Sequence, residues 1–243
     1  MRILAIVEYD GTSYAGWQYQ LNQISVQETI ERAISQIRNQ PTKIYGSGRT
    51  DAGVHAYGQT FHFDIEVPRD LENFRHSINC VLPNDIHVKS LTYVKDDFHA
   101  RLSAVEKTYE YVINLHEPSA FNYKYETLVD EPLDIEEMEK AAKIFVGTHC
   151  FQNFTTKEED EDNFVRTISK IEFIKENNQL IIRFTGDGFM RYMIRLLVGA
   201  LIQVGRHKIT VEHLQNVLNS STRLPVSYKA EAKGLYLVEV KYN

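Results

Sequence analysis

The chain has 243 residues, 43% hydrophobic and 25% charged, the makeup of a soluble globular protein of one large or two small domains. No apolar stretch approaches the ~20 residues that cross a bilayer, which excludes a helical membrane protein. A net charge of −6 argues against a nucleic-acid partner, but two acidic runs, residues 126–140 and 157–162, carry −10 between them and leave the rest at +4. Binding follows the local field over a surface, not the global sum. Cys80 and Cys150 lie far apart with no ligand at metal spacing, which suits reduced thiols in a cytoplasmic protein. Residues 1–7 run straight into Glu8 and Asp10, too short a stretch for a signal-peptide core.

The first strand is expected over 3–9, closed by the turn signal Asp10-Gly11-Thr12-Ser13. Ser25-Val26-Gln27-Glu28 is a capping-box pattern. Val26, Ile30, Ala33, Ile34 and Ile37 follow at helical spacing, predicting a helix over 26–38. Strands over 42–46 and 58–66, a helix over 70–80 and a strand over 86–94 complete a β-α-β-β-α-β order. That is the split unit of ferredoxin-like and RNA-recognition folds.

The pattern then restarts. A strand is expected over 105–115, with Tyr109, Tyr111 and Ile113 on one face, and a helix over 134–146. Strands over 164–175 and 179–186 flank a turn at 176–179, and the 157–162 run reads as a mobile loop. Residues 189–204 are apolar nearly all round, the mark of a buried helix, with Gly199 in close backbone packing and Gly205 at its end. Thr210 caps a further helix, and 235–241 alternates as a last strand. The fold class is α+β, in two halves of residues 1–102 and 103–243.

Between two of these strands lies Gly46-Ser47-Gly48-Arg49-Thr50-Asp51-Ala52-Gly53-Val54-His55-Ala56-Tyr57-Gly58. Its glycines permit positive φ and close approach to a ligand, and an Asp beside an Arg stays ionised. It lacks the lysine and spacing of a phosphate-binding loop, and no helix opens from it as in a dinucleotide site. No second Asp-Thr-Gly-like tripeptide completes an aspartic dyad. Asp51 reads either as a catalytic carboxylate or as the cap of its own turn.

Other candidates also carry two readings. His99 and Arg101 hold phosphates or decorate a linker. Tyr109 is a core aromatic or a platform for an unstacked base. Arg191 and Arg195 stand one turn apart on the apolar helix, where burying a guanidinium calls for a carboxylate. The nine histidines show no metal-ligand spacing.

Tyr9-Asp10-Gly11-Thr12, Gly16-Trp17-Gln18, Gly48-Arg49-Thr50-Asp51-Ala52-Gly53-Val54-His55-Ala56, Phe98-His99-Ala100-Arg101, Tyr109-Glu110-Tyr111, Met193-Ile194-Arg195 and Gly234-Leu235-Tyr236-Leu237 together resemble, in order, the tRNA pseudouridine synthase A family. The resemblance implies isomerisation of uridine to pseudouridine at positions 38, 39 and 40 of the tRNA anticodon stem-loop, with no metal or cofactor, by a homodimer. It implies two ferredoxin-like halves with mostly antiparallel sheets flanked by helices and a site in the cleft between them. By the same resemblance Asp51 is the catalytic aspartate, Tyr109 packs on the target base, Arg195 pairs with Asp51 and Arg49 flips and holds the nucleotide. His55, Arg101 and Arg191 join these as candidate substrate contacts. Lys107-Thr108 departs from the family, many members of which carry arginines there, and the acidic runs depart as well. Two other classes are a catalytically silent RNA-binding module on the same fold and a phosphotransferase with an Asp nucleophile. The second would need acidic metal ligands near Asp51, which this loop lacks.

Overall fold

In the computed structural model of the chain, the alternating apolar run after Met1 forms β1 (Arg2–Tyr9), burying Ile3, Ala5, Val7 and Tyr9 on one face. The structure describes residues 1–67, 69–156, 163–176 and 178–243. The acidic 157–162 run lies outside the described residues, as does Asn177 of the expected turn. Two compact units divide the chain: Met1–Lys107 with Tyr236–Asn243, and Thr108–Leu235. The boundary thus falls inside a strand, later than the one expected after residue 102.

The first unit continues with α1 (Val26–Arg38), β2 (Tyr45–Gly46), β3 (His55–Asp64), α2 (Leu71–Val81) and β4 (Ile86–Val94). Ser25 starts α1 where the capping pattern places it, its Oγ accepting from the Glu28 N–H at 3.2 Å. β1 lies between β4 and β3, β2 pairs with β3, and all three pairings are antiparallel. This is the strand order of the split unit. The register sets Ile3 opposite Phe63 and Ala5 opposite Phe61, and all four side chains are buried. β2 is shorter than the 42–46 expected because α1 takes the amides before it. The Thr42 N–H donates to Ser35 Oγ and the Ile44 N–H to Glu31 Oε1. β3 starts three residues earlier than expected, so His55 belongs to a strand and not to the glycine loop.

The second unit holds most of β5 (Ala104–Asn114), then β6 (Thr127–Leu128), α3 (Ile135–Lys143), β7 (Gly147–Cys150), β8 (Val165–Glu176), β9 (Gln179–Gly186), α4 (Met193–Gly205) and α5 (Val211–Asn219). Its strands lie in the order β5-β9-β8-β7, with β7–β8 and β8–β9 antiparallel and the short β6 parallel to β5. Tyr109, Tyr111 and Ile113 share a buried face, as their spacing predicts. α4 starts at Met193 and not at 189, because Tyr192 takes a left-handed backbone (φ 60°) that no α-helix can pass through. Arg191 is therefore outside the helix and exposed, and the expected pairing of Arg191 and Arg195 on one helical face does not form. Gly199 does mark close packing: a Cβ there would stand 2.0 Å from the Tyr228 carbonyl oxygen.

The last strand, β10 (Leu235–Tyr242), leaves the second unit and pairs parallel with β3, Tyr236 opposite His55 and Leu237 opposite Ala56. No helix among the described residues is long and apolar enough to cross a membrane.

Candidate active site

The loop after β2 is braced on two sides. At its base the Ser47 N–H donates to the Thr60 carbonyl (2.8 Å) and Ser47 Oγ to Gln59 Oε1 (2.7 Å). Gln59 Nε2 returns to the Gly48 carbonyl (3.2 Å), and Lys107 Nζ donates to the Ser47 carbonyl (2.7 Å). Lys107, where many relatives by resemblance carry arginine, thus anchors this loop. On the far side, residues 9–17 close against it. The Trp17 N–H donates to the Thr50 carbonyl (3.1 Å), and the Gly53 N–H to the Tyr14 carbonyl (3.3 Å). Tyr9 OH and Thr50 Oγ1 are 2.8 Å apart, and burial holds the Tyr9 phenol protonated well above its ordinary value.

This fit explains two motifs whose local chemistry is mute. A Cβ on Gly11 would lie 2.0 Å from the Val54 carbonyl oxygen. A Cβ on Gly16, whose φ is +93°, would lie 2.5 Å from that of Thr50. Sequence reasoning found the glycine loop but not these braces, since they sit some forty residues upstream. Within this frame Asp51 is half-exposed, the Val54 N–H donating to its carbonyl (3.1 Å), and Arg49 is exposed.

His55, expected to touch substrate, is only 2% exposed. Its Nδ1 accepts from the Gly11 N–H (3.1 Å) and lies 3.1 Å from Asp10 Oδ1. Its ring stacks on Tyr236 (4.8 Å), which stacks in turn on the exposed Tyr57 (5.0 Å).

His99 and Arg101 sit on a tight turn pinned to β3 and β10. The Ala100 N–H donates to His62 Nδ1 (3.1 Å), and the Ala100 carbonyl accepts from Tyr242 OH (2.8 Å). His99 Nδ1 accepts from the Arg101 N–H (3.1 Å), so this ring holds the turn while Arg101 is exposed. Burial, then the positive charges of Arg2 and His99, lower the pKa of His62 to about 4. The unfolded chain protonates this histidine near 6.5 and the folded one does not, so stability drops as pH falls from about 6.5 toward 4. At pH 5 the loss is about 2 kcal/mol. Urea unfolding at pH 7 and pH 5 should show a pH dependence smaller by this amount in His62→Gln. Equal dependence in the two proteins would mean that His62 titrates normally.

In the second unit, Tyr109 is 8% exposed and meets Phe189 edge-on at 5.3 Å. Arg195 Nε donates to the Ala230 carbonyl (2.8 Å), and the Ala230 N–H donates back to the Arg195 carbonyl (2.9 Å). The guanidinia of Arg191 and Arg195 and the Lys229 ammonium all lie over the Tyr192 ring, at 5.0, 5.3 and 4.4 Å. Tyr192 therefore gathers three cations around one aromatic ring. Among the described residues, no group of three His, Cys, Asp or Glu could hold a metal ion.

A sequence model of tRNA pseudouridine synthases matches residues 5–102 and 141–243, and the chain belongs to this family. It is similar along its whole length to proteins named tRNA pseudouridine synthase A. That of Streptococcus uberis is 38% identical, covering 100% of this chain and 98% of the relative. That of Streptococcus equi subsp. equi is 40% identical over 100% and 99%. That of Exiguobacterium sibiricum is 38% identical over 99% and 96%.

Proposed function

We propose that the protein isomerises uridine to pseudouridine in tRNA, at positions 38–40 of the anticodon stem-loop, with Asp51 as the catalytic carboxylate. The observation that carries this reading is the bracing of the Asp51 loop on both sides, with Asp51 accessible and the exposed Arg49 two residues before it. A carboxylate held so needs no reorganisation at the moment of reaction. The reaction breaks N1–C1′, turns the uracil, joins C5 to C1′, and exchanges the C5 proton for one taken up at N1. Nothing is oxidised or hydrolysed. Asp51 serves as nucleophile at C1′ or C6, or as base at the C2′ proton.

By the family resemblance Tyr109 packs on the target base and Arg195 pairs with the carboxylate. Arg49, Arg101 and Arg191 are exposed and suited to phosphates. For His55 we propose a positioning role, on the burial described above. The base must leave its stack to be reached, so tRNA shape and backbone contacts select the substrate. The family resemblance further supports a cytoplasmic homodimer, and a monomeric mass by light scattering would remove that part. Tritium release from C5-labelled uridine in a tRNA transcript should accompany turnover. Absence of release with every tRNA tested would favour a silent RNA-binding module.

A further inference from the structure

Residues 18–24 are seven consecutive exposed positions immediately after the Trp17 that binds the Thr50 carbonyl. They are folded, not frayed. Gln20 and Gln23 bridge each other, Asn22 takes the left-handed turn (φ 62°), and the Ala15 N–H closes the base on the Ile24 carbonyl (2.9 Å). Gln20 Nε2 reaches back to the Ala15 carbonyl (2.7 Å), and the Tyr19 N–H donates to Gln27 Oε1 (3.2 Å). This small hairpin holds three large apolar side chains in water: Tyr19 at 53% exposure, Leu21 at 76% and Ile24 at 63%. No residue from Ala15 to Gln27 is charged, so the hairpin has no cation to set against a phosphate. It offers ring and aliphatic faces flanked by the amides of Gln18, Gln20 and Gln23, the chemistry that suits bases out of their stack.

Trp17 is bonded to the residue next to Asp51, and four residues reach at most about 14 Å. The hairpin therefore springs from the backbone that walls the Asp51 loop. A base drawn to Asp51 leaves an unstacked neighbour, which an apolar surface can cover.

We propose that the hairpin at residues 18–24 is an RNA-contacting element that stacks on bases beside the target nucleotide, with Tyr19 and Leu21 as its contacts. This inference rests on the function proposed above. The test compares wild type, the double variant Tyr19→Ser/Leu21→Ser, and Arg101→Ala. For each, Tm, tRNA affinity by filter binding across a salt series, single-turnover tritium release and mass in solution are measured. The double variant should keep its Tm and mass. It should lose on the order of tenfold in tRNA affinity or single-turnover rate, with the salt slope unchanged. Arg101→Ala should lower the slope by about one. Unchanged affinity and rate in the double variant would overturn the proposal. So would a reduced salt slope, which means phosphate contact, or a change in mass, which means the hairpin meets a second copy of the chain. A wild type that releases no tritium would defeat the proposed activity itself, whatever the hairpin variant does.

Discussion

Asp51→Asn is expected to lower pseudouridine formation by at least about 10³-fold, the scale of losing a group on which every later step depends. The substitution keeps shape and hydrogen-bonding capacity but removes the negative charge. An amide is a poor nucleophile and a poor base, so none of the three possible roles survives it. tRNA affinity should stay within a few-fold of wild type, because phosphate contacts carry most of it. A melting temperature measured alongside separates a lost catalyst from a lost fold. A variant that still converts uridine at a comparable single-turnover rate would show that Asp51 is not the catalyst.

Gly199→Ala should cost about 1–3 kcal/mol of stability, as overpacked core positions do. The added methyl would meet the Tyr228 carbonyl at 2.0 Å and its carbon at 2.7 Å, so backbone must move. The segment it displaces is bonded twice to Arg195 through Ala230 and supplies Lys229 to the Tyr192 ring. Activity should therefore fall further than the loss of folded protein accounts for. Gly188→Ala is the control, since its nearest neighbour would be Arg166 Nε at 3.9 Å. Equal Tm values for the two variants would show that α4 and the Tyr228–Ala230 backbone separate at no cost.

Elements announced by local chemistry were legible in the sequence. Ser25 and Thr210 begin their helices where expected, each side-chain oxygen accepting the N–H three residues on. β2 was not legible in full, because side chains of Glu31 and Ser35 on a helix claim the amides that a strand would use. The start of α4 was misread for a different reason: hydrophobic periodicity carries no sign of φ, and Tyr192 reverses it. At the site, glycine density and the charged pair exposed the Asp51 loop. The roles of Gly11, Gly16 and His55 stayed hidden, since each depends on a carbonyl or amide remote in sequence.

The parallel pairing of β10 with β3 has a consequence for the order in which the protein is made. Tyr236 meets His55, the residue through which the Asp51 loop enters its strand, across a separation that contains all of the second unit. During synthesis the first unit must wait, one flank of β3 unsatisfied at His55 and Ala56, until residues 235–242 have been translated. Closing so long a loop is slow and leaves an apolar edge open meanwhile. Ribosome-bound chains stopped before residue 235 would then carry every residue of the Asp51 loop without the strand that completes its setting.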